Sequence, residues 1–172
     1  MFKKKMGILF LVSAPSGAGK TTLCQNLRKS PDFIYSISCT TRKPRQGEEN
    51  GRDYHFLSEK DFDQKVRAGE FLEHATVHRY RYGTLKAPIL EAIDSGVDAL
   101  LDVDVQGAQS VRNCGTDAIV ENLVDIFILP PSMEELDRRL RNRATETENE
   151  LKVRLETARK EVKQWKHYKY VI

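Results

Sequence analysis

The stretch that most constrains how this chain can fold is SAPSGAGKTT, residues 13–22, which follows directly on the apolar run Ile8–Val12. It fits G-x-x-x-x-G-K-[ST], the pattern of a backbone loop that wraps phosphate, except that Ala14 stands at the first glycine position. Such a loop needs a strand before it and a helix after it. Gly17 and Gly19 let successive N–H groups turn inward, and the helix aims its positive end at the same anion. Ile8–Ser13 is therefore expected as a strand buried on both faces, and Lys20 to about Lys29 as a helix. Lys20 offers a mobile charge to the terminal phosphates, and the Thr21 hydroxyl can ligate Mg²⁺. The motif implies nucleotide binding and no more, since GTPases, ATPases and nucleotide kinases share it.

Beyond the loop, Phe33–Ser38 reads as a strand. Tyr54–Leu57 and Phe71–Val77 read as short strands around a helix over Glu59–Ala68. Leu85–Ser95 reads as a helix, Ala99–Val103 as a buried strand and Asn122–Leu129 as another. Ser132-Met-Glu-Glu135 and Thr147-Glu-Asn-Glu150 are capping-box signatures that open helices, the second carrying Leu151, Leu155, Ala158, Val162 and Trp165 at helical spacing. YKYVI at the end reads as the opening of one more strand. Strands alternating with helices give an α/β fold with a mainly parallel sheet, interrupted by a strand-rich piece over 36–83.

At 172 residues with a net charge of +3, the chain fits one domain, and an anion site has to be local rather than a general basic surface for nucleic acid or membrane. Its cysteines, Cys24, Cys39 and Cys114, are odd in number and lack C-x-x-C spacing, which argues against a disulfide framework and for a reducing cytosol. MFKKKMGILFLV imitates a secretory signal, but its apolar core, Ile8–Val12, is shorter than the roughly 7–15 residues such a signal needs. His55, His74, His78 and His167 have no metal-ligand spacing.

ALLDVDVQG places Asp102 and Asp104 at the C-terminal end of a buried strand, where open α/β sheets bind ligands, and a carboxylate there can hold the water shell of Mg²⁺. Asp104-Val-Gln-Gly107 matches the D-x-x-G of GTPases, yet no Asn-Lys-x-Asp occurs to read guanine in that way. In RRLRNRATETENELKVRL, Arg138 and Arg141 read as solvated charges. Arg139, Arg143 and Arg154 are candidates for a helical lid that closes on a triphosphate and excludes water. The basic stretch SISCTTRKPRQGEENGRDYHF, residues 36–56, is either a solvated loop or an anion grip.

SAPSGAGKTT, SCTTRKPRQGEENGRDYHF, GEFLEHATV, YRYGT, LLDVDVQGAQSV, FILPPSMEELDRRL and RATETENELKVRL fall in the order seen in guanylate kinase. From Ile8 onward the chain resembles that family in its bacterial form. The resemblance implies a single domain, 1–172, with a P-loop NTPase core (1–36, 84–130 and 157–172), a small strand-rich GMP-binding subdomain (37–83) and a helical lid (131–156). It implies transfer of the γ-phosphoryl group of ATP to GMP or dGMP in purine nucleotide metabolism, with Mg²⁺, in the cytoplasm.

By the same resemblance Ala14, Pro15, Ser16, Gly17, Ala18, Gly19, Lys20, Thr21 and Thr22 hold the ATP phosphates. Thr21 would meet Mg²⁺ directly, and Asp102 would meet it through water. Arg42, Arg45, Tyr54 and Tyr82 would hold the GMP phosphate, and arginine suits that task because a guanidinium grips phosphate by two parallel hydrogen bonds. Glu73 and Asp104 would accept from the guanine N1–H and N2 amine, while Ser38, Gly83 and Thr84 would line the base. Lys20, Arg42, Arg139, Arg143 and Arg154 would stabilise the moving phosphoryl group, and no general base is required. Lys43, Glu48, Glu49 and Arg52 are left as solvated charges.

Cys39 falls within the expected acceptor loop, where alkylation of its thiol would block GMP. Ala144 replaces an expected lid glycine, and the family is expected to continue past VI into an Asn-Asp loop and a last helix. The implied partners are small molecules, without nucleic acid or membrane, and a homo-oligomer is left open. Two alternatives remain at this point: a non-catalytic guanylate-kinase-like module that binds phosphopeptides, and a kinase for another nucleoside monophosphate.

Overall fold

The computed structural model describes residues 5–77, 79–142 and 148–172. β1 (Leu9–Ser13) is walled in on both faces. Leu9 and Leu11 point into a cluster with Ile89, Ile93, Leu101 and Phe127, whereas Val12 points the other way, against Cys24 and Leu100. After it come α1 (Lys20–Leu27), β2 (Phe33–Tyr35), β3 (Cys39–Thr40), β4 (His55–Phe56), α2 (Glu59–Arg67), β5 (Phe71–Val77), β6 (Tyr80–Leu85) and α3 (Lys86–Ser95). β7 (Asp98–Asp102), α4 (Val105–Arg112), α5 (Asp117–Glu121), β8 (Leu123–Phe127), α6 (Met133–Arg141) and α7 (Glu148–Val162) follow. A 3₁₀ turn (Lys163–His167) and β9 (Tyr170–Val171) close the chain.

The main sheet has the order β2-β7-β1-β8-β9, and all its pairings are parallel. A sheet of this kind must be covered on both faces. Cys24 and Leu27 of α1 cover one face, and Ile89, Ile93, Ala108, Val111 and Ile119 of α3, α4 and α5 cover the other. The expected α/β architecture with a mainly parallel sheet is what the chain adopts. The strand-rich piece forms a second sheet, β4-β3-β6-β5, in which β3–β6 and β5–β6 are antiparallel and β3–β4 is parallel. It has its own small core, in which the Phe62 and Phe71 rings stack at 4.5 Å over Cys39. A further cluster, Leu136, Leu140, Leu155 and Ala158, holds α6 against α7.

Several elements depart from the sequence reading. α4 was not anticipated because its N-cap, Asp104, is followed at N3 by Gly107 rather than by Glu or Gln, so the capping box is incomplete. The Asp104 carboxylate nonetheless accepts the Gly107 N–H at 2.7 Å. The short α5 and the strand β6 were likewise unread, and the second strand ends at Tyr35 rather than Ser38. Trp165 does not join the apolar face of α7. The helix ends at Val162, the 3₁₀ turn changes the angular step, and the indole stays 42% exposed. Ser132 caps α6 as expected, accepting the Glu135 N–H at 3.1 Å, and β9 is the strand expected in YKYVI. The Thr147 cap lies outside the described residues. Among the described residues no helix is long and apolar enough to cross a membrane.

Because Phe62 is fully buried in a core separate from that of the main sheet, Phe62→Ala should destabilise the small sheet by about 3–5 kcal/mol. Hydrogen exchange should then show protection lost in β3, β5 and β6 while β1 and β7 keep theirs. Equal loss in both sheets would mean that they unfold as one unit.

Candidate active site

The loop after β1 turns through Gly17 and Gly19, with φ of 91° and 104°, a region that side chains rarely adopt. At Gly17 there is also no room, since a Cβ would lie 2.9 Å from Leu140 Cδ2 of α6. Lys20 opens α1, and its Nζ donates to Asp102 Oδ2 at 3.2 Å. The parallel register that sets Val12 opposite Asp102 brings this carboxylate beside the loop. Arg139 reaches the loop from α6, donating from Nη1 to the Ala18 carbonyl at 3.1 Å and from Nε to Glu135 at 2.6 Å. Ala14, Pro15 and Ala18 are buried, Gly19, Thr21 and Thr22 are exposed, and the Ser16 N–H donates to Glu161 Oε2 at 2.9 Å.

The facing wall belongs to the second sheet. Arg42 is 8% exposed, packed 5.4 Å from the Tyr54 ring centroid and 5.8 Å from that of Phe56. Its Nη1 and Nη2 donate to the two oxygens of Glu48 at 2.8 and 2.9 Å, and Glu48 also accepts the Arg45 N–H at 2.7 Å. Glu48 is thus a structural partner of the basic loop and not the solvated charge expected. Its hydrogen bonds drive the Arg42 pKa above the usual arginine range and hold Glu48 below the usual carboxylate range. Arg52 likewise braces the loop, pairing with Glu49 at 2.7 Å and Asp53 at 2.9 Å. Tyr54 and Tyr82 meet edge to face at 6.0 Å.

Glu73, on β5, accepts the Thr84 hydroxyl at 2.7 Å. Burial pushes its carboxyl above the usual range, the Thr84 hydrogen bond opposes that shift, and the nearby Asp104 adds to it. Gly107 makes the space for this carboxylate, since a Cβ there would lie 3.2 Å from Glu73 Oε2. Gly83, on β6, is buried between β3 and β5, where a Cβ would meet Phe71 at 2.9 Å. Cys39 is fully buried in the small core, with its thiol pushed up by burial to about 11. The expected alkylation at an accessible acceptor loop is therefore corrected.

The two walls enclose a cleft of about 730 Å³, within the usual range of small-molecule sites. Lys20, Thr21, Ser38, Arg42, Arg45, Tyr54, Glu73, Tyr82, Asp102, Asp104 and Arg154 line it together. Arg143 lies outside the described residues. Among the described residues no group of three or more His, Cys, Asp or Glu could cage a metal ion. Thr21 and Asp102 nonetheless bring a hydroxyl and a carboxylate into the cleft, hard oxygen donors of the kind that suit Mg²⁺, an ion that keeps several of its waters.

Among the described residues in or beside the site that the sequence did not single out are Tyr35, Glu161 and Cys24. Tyr35 donates from its hydroxyl to Asp102 Oδ1 at 2.6 Å, and the signal, a lone tyrosine at the end of a strand, is too common to read. Glu161 caps the Ser16 N–H across 145 residues of sequence, which no local pattern reveals. Cys24 lines the cleft beneath Lys20, with burial pushing its thiol to about 11.

A sequence model of the family described as guanylate kinase matches residues 6–172. The guanylate kinase of Syntrophotalea carbinolica is 51% identical over 171 residues, covering 98% of this chain and 79% of its own length. That of Clostridioides difficile is 46% identical over 173 residues, covering 100% of this chain and 82% of its own. The crystal structure of guanylate kinase from Anaplasma phagocytophilum superposes with a TM-score of 0.74 at 34% identity, over 98% of this chain and 77% of that one.

A buried carboxylate with a raised folded-state pKa opposes folding when ionised. Below the unfolded-state pKa, where Glu73 is protonated in both states, that opposition is absent, and it grows as pH rises through the folded-state pKa. Glu73→Gln, which can still accept from Thr84, should therefore raise the melting temperature at pH 7, with the gain vanishing as pH falls below about 4. A variant less stable at pH 7 would contradict this.

Proposed function

The chain belongs to the guanylate kinase family and is a nucleoside monophosphate kinase that passes the γ-phosphoryl group of ATP to GMP, and we propose that the two walls of its cleft divide this reaction between them. The observation that carries the assignment is the arrangement of one cleft. It has the Lys20–Asp102 pair on the phosphate-loop wall and Arg42, Tyr54, Tyr82 and Glu73 on the other.

On the donor side, loop N–H groups of 14–22 and the start of α1 take the ATP phosphates, and Lys20 neutralises charge on them. Thr21 and, through water, Asp102 would hold Mg²⁺, which when bound offsets charge on the β- and γ-phosphates. On the acceptor side, Arg42 and Arg45 grip the GMP phosphate, with Tyr54 and Tyr82 donating to it. The acceptor phosphate is ionised at neutral pH, so the protein's task is positioning and electrostatics, without a general base. Arg139, Arg143 and Arg154 bring further positive charge from a lid formed by 131–156, residues 37–83 act as the acceptor region, and the rest is the core.

Guanine is chosen by its donors. Glu73 and Asp104 accept from N1–H and N2–H₂, and Ser38, Gly83 and Thr84 line the base. AMP lacks both donors and would leave buried acceptors unpaired. dGMP, which carries the same base and phosphate, is the second acceptor of this reading. Unpaired Cys24, Cys39 and Cys114 and free nucleotide substrates suit the cytoplasm and purine nucleotide metabolism. The Lys20–Asp102 pair favours this catalytic reading over a phosphopeptide-binding module.

A coupled assay of ADP formation with ATP and Mg²⁺ should show turnover with GMP and dGMP and little with AMP or UMP. Lys20→Ala should lower kcat by roughly 100-fold or more. Glu73→Gln should lower kcat/KM for GMP by a factor on the order of 100 or more. Equal turnover with AMP would overturn the guanine assignment.

A further inference from the structure

We propose that Tyr35 is a positioning residue for Asp102, its hydroxyl fixing the carboxylate in the orientation that serves the hydrated metal of the bound nucleotide. The inference rests on the reading of Asp102 given above and adds a residue that neither the motifs nor the family resemblance assigns.

The sheet makes the contact possible. β2 and β7 are parallel neighbours, with Tyr35 paired to Leu100, two residues before Asp102. Paired residues share a face, and so do residues two apart, so Tyr35, Leu100 and Asp102 all project toward α1. Two residues of strand rise span about 6.6 Å. A phenol is long enough to lean along the sheet by that distance and set its oxygen against Asp102 Oδ1, at 2.6 Å. Lys20 holds the other oxygen at 3.2 Å. One carboxylate is thus fixed from both sides, by a charged group that must also serve phosphate and by a neutral group that need not.

Packing alone does not call for the hydroxyl. The Tyr35 ring lies in the cluster with Val12, Cys24 and Leu100, and the Arg28 guanidinium sits 4.9 Å from its centroid. A phenylalanine would fill the same space. What phenylalanine could not supply is a donor to Asp102 that persists when Lys20 turns to the triphosphate. Without it, the carboxylate is free to rotate toward Lys20 and tighten that ion pair, drawing both groups away from the nucleotide.

The test is Mn²⁺ binding, read by electron paramagnetic resonance in the presence of ADP, on the whole chain and on Tyr35→Phe, Asp102→Asn and the double variant. Tyr35→Phe should weaken Mn²⁺ binding by about 10-fold, the usual scale for an outer-shell partner, and leave the KM for GMP unchanged. The double variant should bind no more weakly than Asp102→Asn alone. Wild-type Mn²⁺ affinity in Tyr35→Phe, or additive losses in the double variant, would overturn the proposal while leaving the active site as assigned. An Asp102→Asn variant that binds Mn²⁺ as well as wild type would instead overturn the reading of Asp102 itself.

Discussion

In the parallel pairing of β1 with β7, Val12 lies opposite Asp102, so one hydrogen-bonded ladder sets both the start of the phosphate loop and the carboxylate that meets Lys20. Because side chains alternate along a strand, a one-residue slip in this register would turn Asp102 into the opposite face of the sheet. The register is fixed by burial on both sides. Leu9, Leu11 and Leu101 are fully buried on one face, and Val12 and Leu100 are almost so on the other. The placement of the donor site is therefore a property of the hydrophobic core, and the polar groups at the strand ends inherit their geometry from it.

The acceptor wall solves a different problem, because a guanidinium 8% exposed cannot be left without a counter-charge. Glu48 supplies it through both terminal nitrogens of Arg42, and the Lys43 carbonyl takes a further N–H at 2.9 Å. The Tyr82 hydroxyl is a further partner of the same guanidinium. The charge of the loop is balanced and its arginine is held in place as the chain folds, so the cost of ordering this side chain is met on folding.

How far the sequence was legible follows from the range of each interaction. The phosphate loop, the apolar strand before it and the Ser132 cap are local patterns and could be read directly. So could Asp102 and Asp104 at a strand end. Arg42, Tyr54 and Glu73 were legible only through the family resemblance, because nothing local separates an anion grip from a charged loop. Glu48 was misjudged for the same reason, since its role appears only once the loop folds it back on Arg42. Tyr35 and Glu161 act across 67 and 145 residues of sequence, through sheet order and helix packing. α4 escaped because the cap that starts it is a site residue followed by the glycine that makes room for Glu73.

That last coincidence bears on how the parts work together. Gly107 cannot carry a side chain without pressing on Glu73, and Gly17 cannot without pressing on Leu140 of α6. Each glycine sits where a helix approaches a ligand-facing group, so helix packing and site geometry are adjusted at the same atoms. Around the phosphate loop the effect is strongest: Leu136 and Leu140 crowd Gly17, Arg139 donates to the Ala18 carbonyl, and Glu161 of α7 accepts from Ser16. The α6–α7 pair is held together by its own apolar cluster. The same leucines that form this cluster, Leu136 and Leu140, also pack on Gly17, so the seat of the pair and the path of the loop are set together. The shape of the phosphate loop therefore depends on side chains that reach it across 121 and 145 residues of sequence, from helices that no local pattern ties to it.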